Sequence, residues 1–258
     1  MSQFTAFLKK EVSGEIRSGR MLLFAILFSL FGIMNPAITK LTPWMLGLLS
    51  DQLAERGMIV ENVTVDAMTS WTQFYKNMPI MLLIFLVLFS SSFAAEYQKH
   101  TLVLVVTKGM KRWKVLLAKS VVMMGFWTVG CAVSTGITYA YNAWFWTNPN
   151  VTDLLWAVTA FWILGIWLIT LLCVSSVCCN TAASALLGVG VGFAFCYILS
   201  FIPKIKEALP IHLLDGVPLL AGSVDIKDYF AAIAVTLLVG IVNLSAAVFI
   251  FNKRPVRI

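Results

Sequence analysis

The stretch EYQKHTLVLVVTKGMKRWKVLLAK, residues 96–119, carries six Lys or Arg against one acid and is flanked on both sides by long apolar runs. The runs at 78–95 and 121–141 are each about as long as the ~20 residues a helix needs to cross a bilayer. A polar, basic segment between two such runs is a loop on the positively charged side of a membrane.

Of the 258 residues, 60% are hydrophobic and 12% charged, a balance that excludes an ordinary soluble domain. Six apolar runs are long enough to span, at about 21–39, 78–95, 121–141, 154–177, 182–202 and 229–251. Turn formers, charges or Trp anchors bound them. The expected fold is an all-α membrane protein of six transmembrane helices (21–258), preceded by an interfacial helix (1–20) and with a cytoplasmic loop at 96–119. Thirteen of the nineteen Lys and Arg fall in the N-terminal segment, the 96–119 loop and the tail, whereas nine of the twelve acids fall on the other side. By the positive-inside rule both termini are cytoplasmic. The net charge of +7 then reflects topology and attraction to anionic membrane lipids, and needs no nucleic acid. The first run is too long for the apolar part of a signal peptide and lacks a cleavage site, so it is expected to remain as a span.

As bounded here, the spans hold no Asp, Glu, Lys, Arg or His. Proton-coupled transport needs groups that titrate at membrane depth, so that class is disfavoured, while sodium coupling through carbonyls and hydroxyls stays open. His100 and His212 both lie outside the spans, which removes an intramembrane Ser/His dyad or a zinc-binding H-E-x-x-H. Cys131, Cys173 and Cys196 read as apolar fillers, and the vicinal Cys178 and Cys179 have no further ligand at metal-binding spacing. No metal site is expected. Residues 14–21, GEIRSGRM, imitate the glycine spacing of a phosphate-binding loop but place Arg and Met where Lys and Ser/Thr are required.

The polar groups within the spans include Asn35, Ser91, Ser184 and Asn243, which either line a pathway or pack between helices. Asn35-Pro36 is expected to kink the first span. Ser184, Gly188 and Gly192 recur every fourth residue, giving one smooth helix face for an intrasubunit contact or a dimer seam. In the N-terminal segment, Phe4, Leu8, Val12 and Ile16 make an apolar stripe interrupted by Glu11 and Glu15, with Lys9, Lys10, Arg17 and Arg20 facing the headgroups. In the 96–119 loop, Glu96 caps the second span, residues 101–106 form a short apolar helix or extension, and residues 107–114 form a basic turn into the third span. Apolar surface beside basic residues suggests a docked partner.

The motifs K-K-E-x-x-x-E at residues 9–15, Asn35-Pro36, QFYKN at 73–77, Glu96 followed by T-L-x-L-V-x-T-K, and Lys111-Arg112-Trp113-Lys114 resemble the permease subunits of exporter-type (type 2) ABC transporters. His100 departs from the Gly usual in that family before the Thr. The resemblance implies that Thr101, Leu102 and Leu104 belong to a coupling helix that seats in a groove of an ATPase subunit, flanked by Glu96, Lys111, Arg112 and Trp113. It also implies two permease copies around a path, ATP and Mg bound by the partner subunit with no cofactor in this chain, and a multi-pass location in a bacterial plasma membrane. The uncharged spans favour a lipophilic or amphipathic substrate such as a peptide, lipid or drug. Rival classes are an ATP-independent carrier or channel, a membrane enzyme, and a non-transporting scaffold.

Overall fold

A computed structural model describes residues 3–55, 64–98, 111–146, 151–179 and 181–253, with the backbone alone at 49–55 and 93–98. Its elements are α1 (Gln3–Arg17), α2 (Arg20–Glu55), α3 (Ala67–Gln98), α4 (Arg112–Phe145), α5 (Leu154–Cys178), α6 (Ala182–Leu199), α7 (Pro203–Lys206), a 3-10 turn (Pro210–Leu214), α8 (Val217–Leu220) and α9 (Ile226–Lys253). No strand occurs among the described residues. Six helices, α2 to α6 and α9, are long and apolar enough to cross a membrane, which makes this a multi-pass, all-helical membrane protein.

Local chemistry sets the helix ends. Gly19 sits at φ 69°, the left-handed region that stops a helix, and both the backbone N–H and the hydroxyl of Ser18 turn back to the Glu15 carbonyl. The chain therefore breaks between α1 and α2. Asp66 accepts from the Thr69 N–H at 2.8 Å and caps the start of α3. A reciprocal Thr181–Ser184 capping box opens α6.

Helix α2 continues unbroken through Pro36 and Pro43. Pro36 cannot donate to the Gly32 carbonyl one turn back. In a span that carbonyl has no water to turn to, and the Thr138 hydroxyl of α4 supplies the missing donor at 3.0 Å.

The core is built on α5, whose apolar residues run all round it and which packs against α3, α4, α6 and α9. Across α2, α3, α4 and α5 runs a buried chain of rings: Phe24, Phe28, Phe85, Phe89, Phe126, Trp127 and Phe161, with Phe85 and Trp127 edge-on at 5.3 Å. Large apolar faces remain exposed, including Leu22, Ile26 and Leu30 on α2, Leu187, Val191 and Phe195 on α6, and Leu238 and Ile241 on α9. At one end lie Trp44, Trp144 and Trp156, exposed where an aromatic belt would sit. That same end is crossed by residues 200–225, a plug made of α7, the 3-10 turn and α8. The opposite end carries α1, the last turns of α3 and the start of α4.

Several boundaries differ from the hydropathy reading. At the α1 end, α3 continues to Gln98 and α4 begins at Arg112, so residues 112–119, read as turn and loop, are helical. Lys, Arg and Trp depress hydropathy without disfavouring helix, because their stems lie along apolar surface with the polar tip outward. The stripe of α1 is also rotated. Its buried residues are Phe7, Glu11 and Glu15, while Ile16 is 55% exposed. Phe4, Leu8 and Val12 pack at the margin of the core. The acids do not interrupt the inward face of this helix; they are its centre.

Candidate functional site

Two features stand out, one at each level of the bundle. The first is a buried charge network at the α1 end. Lys119 of α4, 5% exposed, donates from Nζ to Glu11 Oε2 of α1 at 2.7 Å and to the Ser92 carbonyl of α3 at 3.3 Å. One turn further along α1, Glu15 Oε1 accepts from the Ser92 hydroxyl at 2.7 Å, and Glu15 Oε2 lies 3.4 Å from Arg20. Arg20 in turn donates to the Ser91 hydroxyl at 3.1 Å.

A single surface helix is thus tied to the two helices that flank residues 99–111. Ser92 and Lys119 each lie about two helical turns, roughly 10 Å, from the helix end nearest that connection. Buried charges at this depth are tolerated because each has a partner: removing water from an ion is costly, and the opposite charge with added hydrogen bonds offsets the cost. The arrangement ties α1 to the end of α3 and the start of α4.

The second feature is an elongated cavity of about 390 Å³ between α3, α5 and α6, within the ~300–1,000 Å³ of small-molecule sites. Leu82, Leu86, Leu164, Leu168, Val189 and Phe193 form its walls, exposed Leu83 and Val87 border its open side, and Leu214 of the plug also lines it. Pro79 and Val87 mark its reach along α3, eight residues or about 12 Å of helix rise. The described side chains that line it are all apolar, so it suits an alkyl or aromatic group.

The sequence-derived site residues fall in several places. Thr101, Leu102 and Leu104 lie outside the described residues. Glu96 has its backbone in the last turn of α3, and Lys111 is extended and exposed just before Arg112 opens α4. Trp113 is 37% exposed, with Lys114 over its ring at 5.7 Å. These residues flank one connection, next to the charge network.

The pathway-or-packing candidates make contacts within the chain. Asn35, 1% exposed, donates to the Phe31 carbonyl at 2.7 Å and accepts from Asn77 of α3 at 2.6 Å. Asn243 of α9 donates to Thr170 of α5 at 3.3 Å. Ser91 receives Arg20, and Ser184 caps α6. A Cβ added at Gly188 would lie 2.7 Å from the Ser175 hydroxyl and one at Gly192 would lie 2.7 Å from a Leu171 methyl, both on α5. The smooth face of α6 is therefore used against a helix of its own chain.

Glu11, Glu15, Ser92 and Lys119 were not singled out as a site from the sequence. The signal was the spacing of Phe7, Glu11 and Glu15, four residues apart on one helix face. Among the described residues no group of three His, Cys, Asp or Glu could hold a metal ion. A family model described as ABC-2 family transporter protein matches residues 5–214. No curated protein matches the chain.

Proposed function

The chain belongs to the ABC-2 family of transporter proteins, and from that membership we propose that it is the permease subunit of an ATP-driven exporter in the plasma membrane. A separate ATPase subunit binds ATP and Mg, docks at the 99–111 connection, and on closing drives the spans of two permease copies between inward- and outward-open forms. The Lys/Arg bias puts the α1 end on the cytoplasmic side, where such a subunit would be. Within residues 14–21, Gly14 lies inside α1 and Gly19 forms the turn after it.

The observation that carries this reading is the Glu11–Lys119 pair with its serine partners, because it links the docking end mechanically to α1, α3 and α4. The cargo is lipophilic or amphipathic, its apolar part held in the cavity between α3, α5 and α6. That assignment rests on the apolar character of the described side chains that line it.

Gly190 offers the cleanest test. It lines the cavity, yet a Cβ built on it meets nothing within 4 Å. Leucine at this position fills space without displacing a neighbour. In cells producing the chain and its ATPase, a panel of fluorescent amphiphiles identifies one that the wild type exports. Gly190→Leu should lower export of that amphiphile by about tenfold or more, the effect of losing some 1.4 kcal/mol of binding, with the membrane level of the protein unchanged. Undiminished export would exclude the cavity as the cargo site.

A further inference from the structure

The plug is held at three points. Thr152 donates to the Leu220 carbonyl at 2.6 Å, and the Tyr229 hydroxyl of α9 donates to the Asp215 carbonyl at 2.5 Å. The third is an aromatic stack: the His212 ring of the 3-10 turn lies on the Tyr229 ring at 4.6 Å between centroids, 24° from parallel. Next to His212 in the chain, Leu213 is fully buried, and Leu214 lines the cavity.

His212 Nε2 is buried and has no hydrogen-bond partner. A neutral ring tolerates this, because it stacks as an aromatic surface. An imidazolium carries an N–H there that must either find an acceptor or reach water. We infer that His212 is an acid-released latch: neutral, it holds the plug over the cavity, and protonated, it lets the plug lift.

Charged groups surround the ring. On the plug, Glu207 and Asp215 favour the proton and Lys206 opposes it; on α9, Asp228 favours it. Tyr75 of α3 packs against Gly216 of the plug. The helices α5 and α6, which also touch the 3-10 turn, contain no Asp, Glu, Lys, Arg or His. Burial outweighs the acids, and the imidazole is held below its ordinary range. The sign follows from linkage. The closed form binds its proton less readily than a hydrated histidine does. Above about pH 6.5 both forms are neutral and the latch is indifferent to pH; below it, opening gains by at most about tenfold per pH unit, until the closed form also protonates.

The test uses the full chain in lipid nanodiscs, where reagent reaches both faces, so it depends neither on membrane orientation nor on the transport reading. Cys178 and Cys179 are replaced by serine, and Leu214→Cys reports on the cavity end, with exposed Ser223→Cys on the same plug as reference. The measured quantity is the ratio of their reaction rates with a charged methanethiosulfonate from pH 8 to pH 5. With His212 present the ratio should be flat above about pH 6.5 and rise several-fold below it. In His212→Phe, which keeps a stacking ring but cannot titrate, it should stay at its neutral-pH value throughout. A flat ratio with His212, or the same rise in His212→Phe, would overturn the latch.

Discussion

Lys119→Met is expected to be the most damaging single substitution in the chain. Methionine keeps the length of the side chain but leaves the Glu11 carboxylate buried on α1 without its 2.7 Å partner. Breaking a buried pair from one side costs roughly 3–5 kcal/mol. At 2–4 °C per kcal/mol for a chain of this size, the melting temperature in detergent should fall by about 10 °C. The double variant Glu11→Leu with Lys119→Met removes both charges, and replacing a whole buried pair by apolar groups is commonly neutral. It should recover most of the lost stability. The same double variant should remain poorly coupled, because α1 keeps its packing through Phe7 but loses its charged hold on α4. A single variant that melts like the wild type would mean that the pair is solvated and does not bind α1 to the bundle.

Gly165→Ala should be the next most damaging, although alanine in a helix is normally the better residue by about 1 kcal/mol. A Cβ at Gly165 runs directly into the Trp127 indole. Trp127 is fully buried, donates from Nε1 to the Trp162 carbonyl at 3.1 Å, and is wedged between Phe85 and Phe161. It has no room to yield. Overpacking costs about 1–3 kcal/mol, and stranding the indole N–H adds roughly 1–3 kcal/mol. The expected net loss is about 1–5 kcal/mol, read as a lower melting temperature. Trp127→Phe in the same chain should relieve it, since the smaller ring has no donor to strand. Gly125→Ala is the contrast: a Cβ there meets nothing within 4 Å, so that variant should melt at or above the wild type. Gly165→Ala with unchanged melting would show that the α4–α5 contact is looser than described.

Much of this architecture was legible in the sequence because a bilayer imposes length. Runs of about 20 apolar residues announce themselves whatever they pack against. Family resemblance was carried above all by Glu96 with the T-L-x-L-V-x-T-K that follows it and by Lys111-Arg112-Trp113-Lys114. What the sequence does not disclose is which side of each helix faces inward, since in a span an inward leucine and a lipid-facing leucine are the same residue. Leu83 is exposed and Leu82 buried, one position apart on α3. The cavity was invisible for that reason. On α1 the error had a different source: two acids on a helix at the membrane surface look like water-facing residues until Lys119, 108 positions away from Glu11, is brought onto them. The Ser184, Gly188 and Gly192 stripe showed that something packs closely on α6, but Ser175 and Leu171 of α5 became identifiable only in three dimensions. Likewise, the plug leucines Leu213, Leu219 and Leu220 are short apolar pieces in a connecting segment, and only their burial against α3, α5, α6 and α9 separates them from an ordinary loop.

The measurement that bears most directly on the account is purification of the tagged full-length chain from membranes of cells that contain its partner, with and without Leu104→Asp. If the 99–111 connection receives the ATPase, the wild type should bring down a separate ATPase subunit together with vanadate-sensitive ATP hydrolysis. The aspartate, an unpaired charge pushed into an apolar contact at a cost of several kcal/mol, should reduce both by well over tenfold while the chain itself reaches the membrane in normal amount. A wild-type preparation that transports with no ATPase present, or a Leu104→Asp variant that retains the full complement of subunit and activity, would contradict it.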